Sequence, residues 1–506
     1  MPGTPRWCAS SAIRPTDTAN EASDHGALMT VQQVSTRPDR RGIEGRILIA
    51  TAGLSGLLYS SVELGRRLGA AGHRVTYAGP GAVRKLVEYY GLEFLEIEPS
   101  RYNEFLARDA DAGPLDRLRY RRRRQGEAIQ SLGLAPFLET VRHVDPDLVL
   151  FDGEMHEQIF AVAGLGVPVA LLNTFPSIWR QPGLPPTHVM VRPDVGWQGS
   201  RPSIAAFWFA LRLRKWGIRL SQRLQRVGCD RVSILRHLAE QTGFDFQRQT
   251  DTSQWLIPFS YRRLPYLSLH AQEFEFPHKP PENVHYVGPM VPEDRVDLTG
   301  NANESAEIAA VLERRRNAGS QTRLIYAGFG SVFSTDLDFV ARLIRVVAER
   351  PGWELALSLS DRVRPERLGS LPERVHVFSW VPQLQVLKQA DAVVTHGGLN
   401  TLDECILSGV PMLVYCGGET DMAGNTARVV HHGIGLAGNR ERDRTADICR
   451  HLDRLLDEPS FARNLSRLRE RYEAYQHNRV AERVIQSLLG QGSRLETAPR
   501  PAGEYP

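Results

Sequence analysis

At 506 residues the chain is too long for one ordinary core, and its length points to two or three domains. Hydrophobic residues at 42 % and charged residues at 24 % are the mix of a soluble globular protein, and a net charge of only +4 with no recognition motif disfavours a nucleic-acid partner. Five scattered cysteines, Cys8, Cys229, Cys405, Cys416 and Cys449, show no paired metal spacing and argue for a reducing, cytoplasmic setting, and no apolar run of about 18 residues could span a bilayer.

Residues 1–42 lack hydrophobic periodicity and are rich in Ser, Thr, Asp, Arg and Pro without the apolar middle of a secretory signal. They read as a disordered extension, in which Met29 could be an alternative start. Order is expected from 46–51, a buried-strand run, followed by a loop through Gly53 and Gly56, a helix over 57–71 and a second strand after Gly72-His73. Further strand runs at 92–97, 147–151 and 169–172 alternate with helical patterns, which predicts a parallel, doubly wound sheet with ligands at the carboxyl ends of its strands.

Between 180 and 263 the alternation breaks. A Pro-rich loop precedes 204–227, an amphipathic run with Phe207, Trp208, Phe209, Trp216 and many arginines. With the cluster Arg117, Arg119 and Arg121 to Arg124, it could attract an anionic acceptor or a membrane surface; a solvated face is the plainer alternative. Residues 291–321 have no strand signal and read as a domain linker. A second doubly wound unit follows over 322–460, with strands expected at 324–328, 353–357, 375–378, 392–395 and 412–415. The tail over 461–490 is patterned as one long charged amphipathic helix, and 491–506 looks frayed.

Within the second unit, Thr395-His396-Gly397-Gly398-Leu399-Asn400-Thr401 joins a strand to a helix. The two glycines admit close backbone approach, and the free N–H groups and positive dipole end of the next helix suit a phosphate. Glu404 lies one helical turn beyond Asn400, so its carboxylate projects from the same face. This stretch resembles the donor-binding signature of the UDP-glycosyltransferase family. Trp380-x-Pro382-Gln383 opens the box, His396-x-Gly398-x-Asn400-Thr401-x-x-Glu404 forms its middle, and Gly409-Val410-Pro411 precedes Thr420-Asp421.

The resemblance implies an α/β GT-B architecture, two doubly wound Rossmann-like domains facing across a cleft, with 43–290 binding the acceptor, 322–460 binding a UDP-sugar and the tail helix crossing back to the first domain. It implies that Trp380 stacks on the base with Val381 beside it, and that Gln383 lies near the ribose. His396, Gly397, Gly398, Asn400 and Thr401 would hold the diphosphate, Glu404 would accept from the ribose hydroxyls, and Thr420 and Asp421 would meet the sugar. Gly330 and Ser331 resemble the family's first C-domain loop, which reaches towards the nucleotide. No metal or other cofactor is expected.

Two departures stand out. The family keeps a catalytic histidine after a glycine in the first βα loop; here that place, counted back from Gly72-His73, is Leu57, which cannot take a proton. The aspartate that orients the histidine has its counterpart in Asp152. Glu154 or His156 could replace the lost base, or there is none; His156 could equally be a helix-start residue and Asp152 a helix cap. At the sugar site the usual glutamine after Asp421 is Met422, and Leu399 stands where tryptophan is frequent. The expected activity is inverting, metal-independent transfer from a UDP-sugar to a small hydrophobic or acidic acceptor, a natural product or lipid. A non-hydrolysing UDP-sugar epimerase and a non-catalytic sugar-nucleotide-binding partner are the rivals.

Overall fold

Two parallel sheets carry the molecule, each with helices on both faces. The computed structural model describes residues 45–495 apart from 54, 112, 296–301, 319–321, 330–335, 360–367 and 418–419; residues 1–44 and 496–506 lie outside the described residues. In the first sheet seven strands run in the order Glu93–Glu96, Arg74–Gly79, Arg46–Ala50, Leu148–Asp152, Val169–Asn173, Tyr266–Ser268 and Val284–Tyr286, all neighbours parallel. Leu148–Asp152 and Val169–Asn173 are buried at every position, as strands covered on both faces must be. Alternate side chains feed two cores. Leu48, Ala50, Val149, Phe151 and Leu171 meet Phe137, Ile159 and Phe160, whereas Ile47, Ile49, Leu148 and Leu150 meet Val62, Leu64 and Leu68.

The second sheet has the order Val375–Phe378, Trp353–Ser358, Arg323–Gly328, Ala392–Thr395, Met412–Val414 and Gly435–Ala437, again all parallel. The expected strands therefore form, and each sheet reverses direction beside its first strand. Such switch points open crevices at the carboxyl ends of the flanking strands. Those ends carry Thr51 and Asp152 in the first domain and Gly328 and Thr395 in the second.

Two expectations need correction. Part of the 291–321 stretch is a helix, Ala302–Ala318, whose Ile308, Val311 and Leu312 enter the core of the second domain. The tail is two helices rather than one, Pro459–His477 and Val480–Leu495, and Arg479 between them takes a left-handed φ of 48°. The bend lets the halves serve different cores: Leu465, Leu468 and Tyr472 pack in the second domain, and Ala481, Ile485 and Leu488 in the first. The second half reaches Leu495, past the Gly490 where fraying was expected.

Candidate functional site

The loop after Ala392–Thr395 brings the glycine pair against a helix start. Gly397 has φ 89°, and a Cβ there would stand 2.9 Å from the Val414 side chain, so the turn is closed to other residues. Gly398 is the N-cap of the helix Leu399–Ser408, which no side chain caps, so its first N–H groups remain available to an anion. A Cβ at Gly398 would lie 2.8 Å from His396 Nε2, which places the imidazole against the same turn. Burial pushes His396 down to about 4 against an opposing hydrogen bond to the Gly328 backbone, so near neutral pH the ring is uncharged.

Along the helix face, Gln383 Nε2 donates to Glu404 Oε2 at 2.5 Å and to Thr401 Oγ1 at 3.4 Å, while Tyr326 Oη donates to Gln383 Oε1 at 2.9 Å. Arg295 closes this group by pairing its Nη1 with Glu404 Oε1 at 2.5 Å, and its guanidinium lies over the Tyr59 ring of the first domain, 4.9 Å from the centroid. Asn400 reaches across the cleft instead, donating to the Gly56 carbonyl at 2.7 Å. Trp380 is half-buried, and Val381 packs into the core and leaves only its backbone for a ligand. Gly330 and Ser331 lie outside the described residues.

At the sugar end, Thr420 Oγ1 accepts from Met422 N at 3.5 Å, and Asp421 stands at the N-cap position of the helix Met422–His432 without a capping bond from its side chain. Asn425, one turn on, donates to both Asp421 Oδ2 at 2.8 Å and the Gly397 carbonyl at 2.9 Å, tying the two loops together. Burial pushes the Asp421 carboxyl up to about 6, with Asn425 opposing. The same helix is anchored to the first domain. Gly424 N donates to the Thr187 carbonyl at 2.8 Å, and a Cβ at Gly424 would sit 2.3 Å from that oxygen. Fully buried Arg428 pairs with Glu275 at 2.6 Å, and His270 bonds the other carboxylate oxygen at 3.0 Å. Burial works to raise Glu275, but Arg428 and His270 outweigh it and hold the carboxyl down to about 2.

Across the cleft, Leu57 is buried among Ile47, Ile49 and Val62, so its place offers a ligand neither acid nor base. Asp152 accepts from Ala52 N at 3.4 Å and Glu154 N at 3.1 Å, which fixes the chain just before the helix that carries Leu57; burial raises its carboxyl against these two bonds. Glu154 is solvent-accessible, and the surrounding protein together with Asp152 pushes its carboxyl up to about 7. His156 turns the other way. It is buried, bonds Tyr261 Oη through Nδ1 at 2.8 Å and packs on Phe259 at 4.6 Å, and burial pushes it down to about 3. The expectation that His156 could reach an acceptor is corrected: as the first residue of the helix His156–Gly164 it faces the aromatic core.

Sequence reading passed over Tyr326, Arg295, Asn425 and Arg428. Only Asn425 carried a local signal, four residues after Asp421 on one helix face. The first domain also holds a cavity of about 600 Å³ lined by Arg180, Arg201, Ile204, Trp208, Phe209 and Arg212 among others, with none of the donor residues named above in its wall.

Residues 346–486 match the family model described as "Erythromycin biosynthesis protein CIII-like, C-terminal domain". The chain is 28 % identical over 458 residues to oleandomycin glycosyltransferase of Streptomyces antibioticus, covering 88 % of this chain and 92 % of that one. Among solved structures, the glycotransferase of kitacinnamycin superposes with a TM-score of 0.60 at 22 % identity, covering 89 % of this chain and 99 % of its own. The glycosyltransferase VinC in complex with dTDP gives 0.54 at 19 %, covering 89 % and 100 %. With the donor residues gathered on a GT-B fold and the sequence likeness to glycosyltransferases running nearly end to end, the comparisons support a glycosyltransferase similar to the UDP-glycosyltransferase family.

Proposed function

We propose that the chain transfers a sugar from a UDP-sugar to a small apolar or acidic acceptor with inversion and without a metal, and that Glu154 is its general base. The observation that carries this reading is the meeting of two chemistries at one bridge. An uncapped helix start and a neutral His396 stand beside Asn400, which bonds the Gly56 carbonyl in the first turn of the helix Ser55–Ala70, while Asp152 holds the chain just before that helix through Ala52 N and also accepts from Glu154 N. Glu154 Oε takes the acceptor proton, the acceptor oxygen attacks the anomeric carbon opposite the diphosphate, and the carbon–oxygen bond to the diphosphate breaks with its electron pair going to the leaving oxygen. Backbone N–H groups and the neutral imidazole donate to that oxygen as its charge grows. The cavity of about 600 Å³, with Trp208 and Phe209 among its apolar walls and three arginines, suits an acceptor that is apolar with an acidic group. Likeness to a macrolide glycosyltransferase favours neither an epimerase nor a non-catalytic partner.

Mass spectrometry of products from UDP-glucose, with alcohols, phenols and carboxylic acids as acceptors, tests the reading in wild type and Glu154→Gln. A general base contributes roughly 10²- to 10⁴-fold, so alcohol transfer should fall by about that factor while carboxylate acceptors, already ionised, lose little. In wild type kcat/KM should rise with pH through about 7, where Glu154 deprotonates, and the limb should vanish in the variant. Undiminished alcohol transfer by Glu154→Gln would remove Glu154 from the reaction.

A further inference from the structure

The helix Arg201–Arg226 has two apolar faces, and the fold uses one of them. Ile204, Trp208 and Leu211 are buried beside Val191, Trp208 Nε1 donates to the Leu184 carbonyl at 2.7 Å, and Lys215 Nζ donates to the Gln254 and Leu256 carbonyls. At about 100° per residue, Phe209, Leu213, Trp216, Leu220 and Leu224 fall in a second stripe on the opposite side. They are 65, 55, 61, 41 and 70 % exposed. A single exposed leucine is ordinary, but five large apolar side chains in register on one helix are not. The patch continues at both ends. Trp197, 75 % exposed, stands just before the helix, where its carbonyl accepts from Ser203 Oγ at 2.8 Å. At the far end Arg117 donates to the Gln225 carbonyl at 2.9 Å, holding the short helix Pro114–Arg119 with exposed Leu115 and Leu118.

Charge chooses the occupant. Between 201 and 227 there are seven basic residues and no acidic one. By the same helical arithmetic Arg212, Arg219 and Arg223 run along one border of the stripe. Arg219 and Arg223 also line a cavity of about 330 Å³ with Arg121 and Arg236, in whose wall Asp230 and Glu240 are the acidic members. A second copy of the chain would set one uniformly basic helix against another and be repelled. A bilayer with anionic headgroups answers both parts of the surface: acyl chains take the Trp, Phe and Leu side chains, and phosphates take the arginines. No helix among the described residues is long and apolar enough to cross a membrane, so this one would lie in the interface.

We propose that the face formed by Phe209, Leu213, Trp216, Leu220 and Leu224 docks on an anionic lipid bilayer, with the helix in the plane of the headgroups. Phe209 and Arg212 belong both to this face or its border and to the wall of the 600 Å³ cavity. Docking therefore sets that cavity beside the bilayer, from which an amphiphile can enter it.

Flotation of the full chain with vesicles of phosphatidylcholine alone, or mixed with phosphatidylglycerol, tests this at low and high salt. The mixed vesicles should bind at least about tenfold better and lose the protein as salt rises. The double variant Leu213→Asp/Trp216→Asp should lose that binding by about tenfold or more while its far-UV circular dichroism and turnover of a water-soluble acceptor stay unchanged. Arg223→Glu should weaken binding and flatten its salt dependence. Absent or lipid-indifferent flotation, or a double variant that binds like wild type, would overturn the proposal. So would a dimer in light scattering that the double variant abolishes without any vesicle binding, since a second copy would then be what covers the stripe.

Discussion

Asn400 Nδ2 donates to the Gly56 carbonyl at 2.7 Å, joining residues 344 positions apart. The donor box thus touches the first turn of the helix Ser55–Ala70, in which Leu57 stands where the resembled family keeps a catalytic histidine, and a diphosphate that recruits Asn400 competes with this bond. A neutral hydrogen bond contributes about 0.5–1.5 kcal/mol, so Asn400→Ala should raise the donor KM by up to about tenfold. Asn400→Asp, which sets a carboxylate against both the Gly56 carbonyl and the diphosphate, should raise it further. Initial rates at saturating acceptor check both; an Asn400→Asp enzyme equal to wild type would take this side chain out of donor binding.

Glu404 is already engaged by Arg295 and Gln383. A ribose therefore meets a carboxylate with one oxygen claimed by a cation, and Arg295→Gln frees that oxygen. UDP should then bind up to about tenfold tighter and dTDP, which lacks the 2′-hydroxyl, should change less. Glu404→Ala should weaken UDP more than dTDP. Titration calorimetry with the two nucleotides measures the difference, and parallel shifts would show that Glu404 does not read the 2′-hydroxyl.

The buried Arg428–Glu275 pair ties the helix Met422–His432 to the first domain. Removing one partner strands a buried charge, so Arg428→Met should cost about 3–5 kcal/mol, and Glu275→Leu/Arg428→Met should recover much of it. The sign with pH follows from the depressed carboxyl. Its folded value of about 2 lies below the ordinary 4.5, so this stabilisation is present above 4.5 and drains away as pH falls through about 2. Urea unfolding of wild type and the double variant at graded pH should show the variant losing less stability in that window.

A neutral His396 against the helix start needs no proton exchange to donate to a leaving diphosphate. His396→Ala should lower kcat by roughly 10²- to 10³-fold, the scale for loss of one such donor. Turnover should survive EDTA. Activity lost to the chelator and restored by magnesium or manganese would end the metal-free reading.

The sequence by itself determined the two parallel sheets and the phosphate-suited turn, because their causes are local. Short continuous apolar runs such as Leu148–Asp152, and glycines at Gly397 and Gly398, restrict the chain wherever they occur. The linker helix Ala302–Ala318 and the break at Arg479 were less legible. The first has a weakly patterned polar surface, and the second turns on one left-handed residue with no glycine to announce it.

Only the tertiary structure decided where the reactive side chains point. His156 and Glu154 stand two residues apart where a loop enters a helix, yet Tyr261, 105 positions away, draws His156 into the core while Glu154 keeps an exposed, partly desolvated carboxyl. Arg428 reads as one basic residue among 62 until the fold brings Glu275, 153 positions distant, against it, and Arg295 reaches Glu404 across 109. A titratable group takes its role from the burial and partners around it, and packing, not neighbouring sequence, sets both.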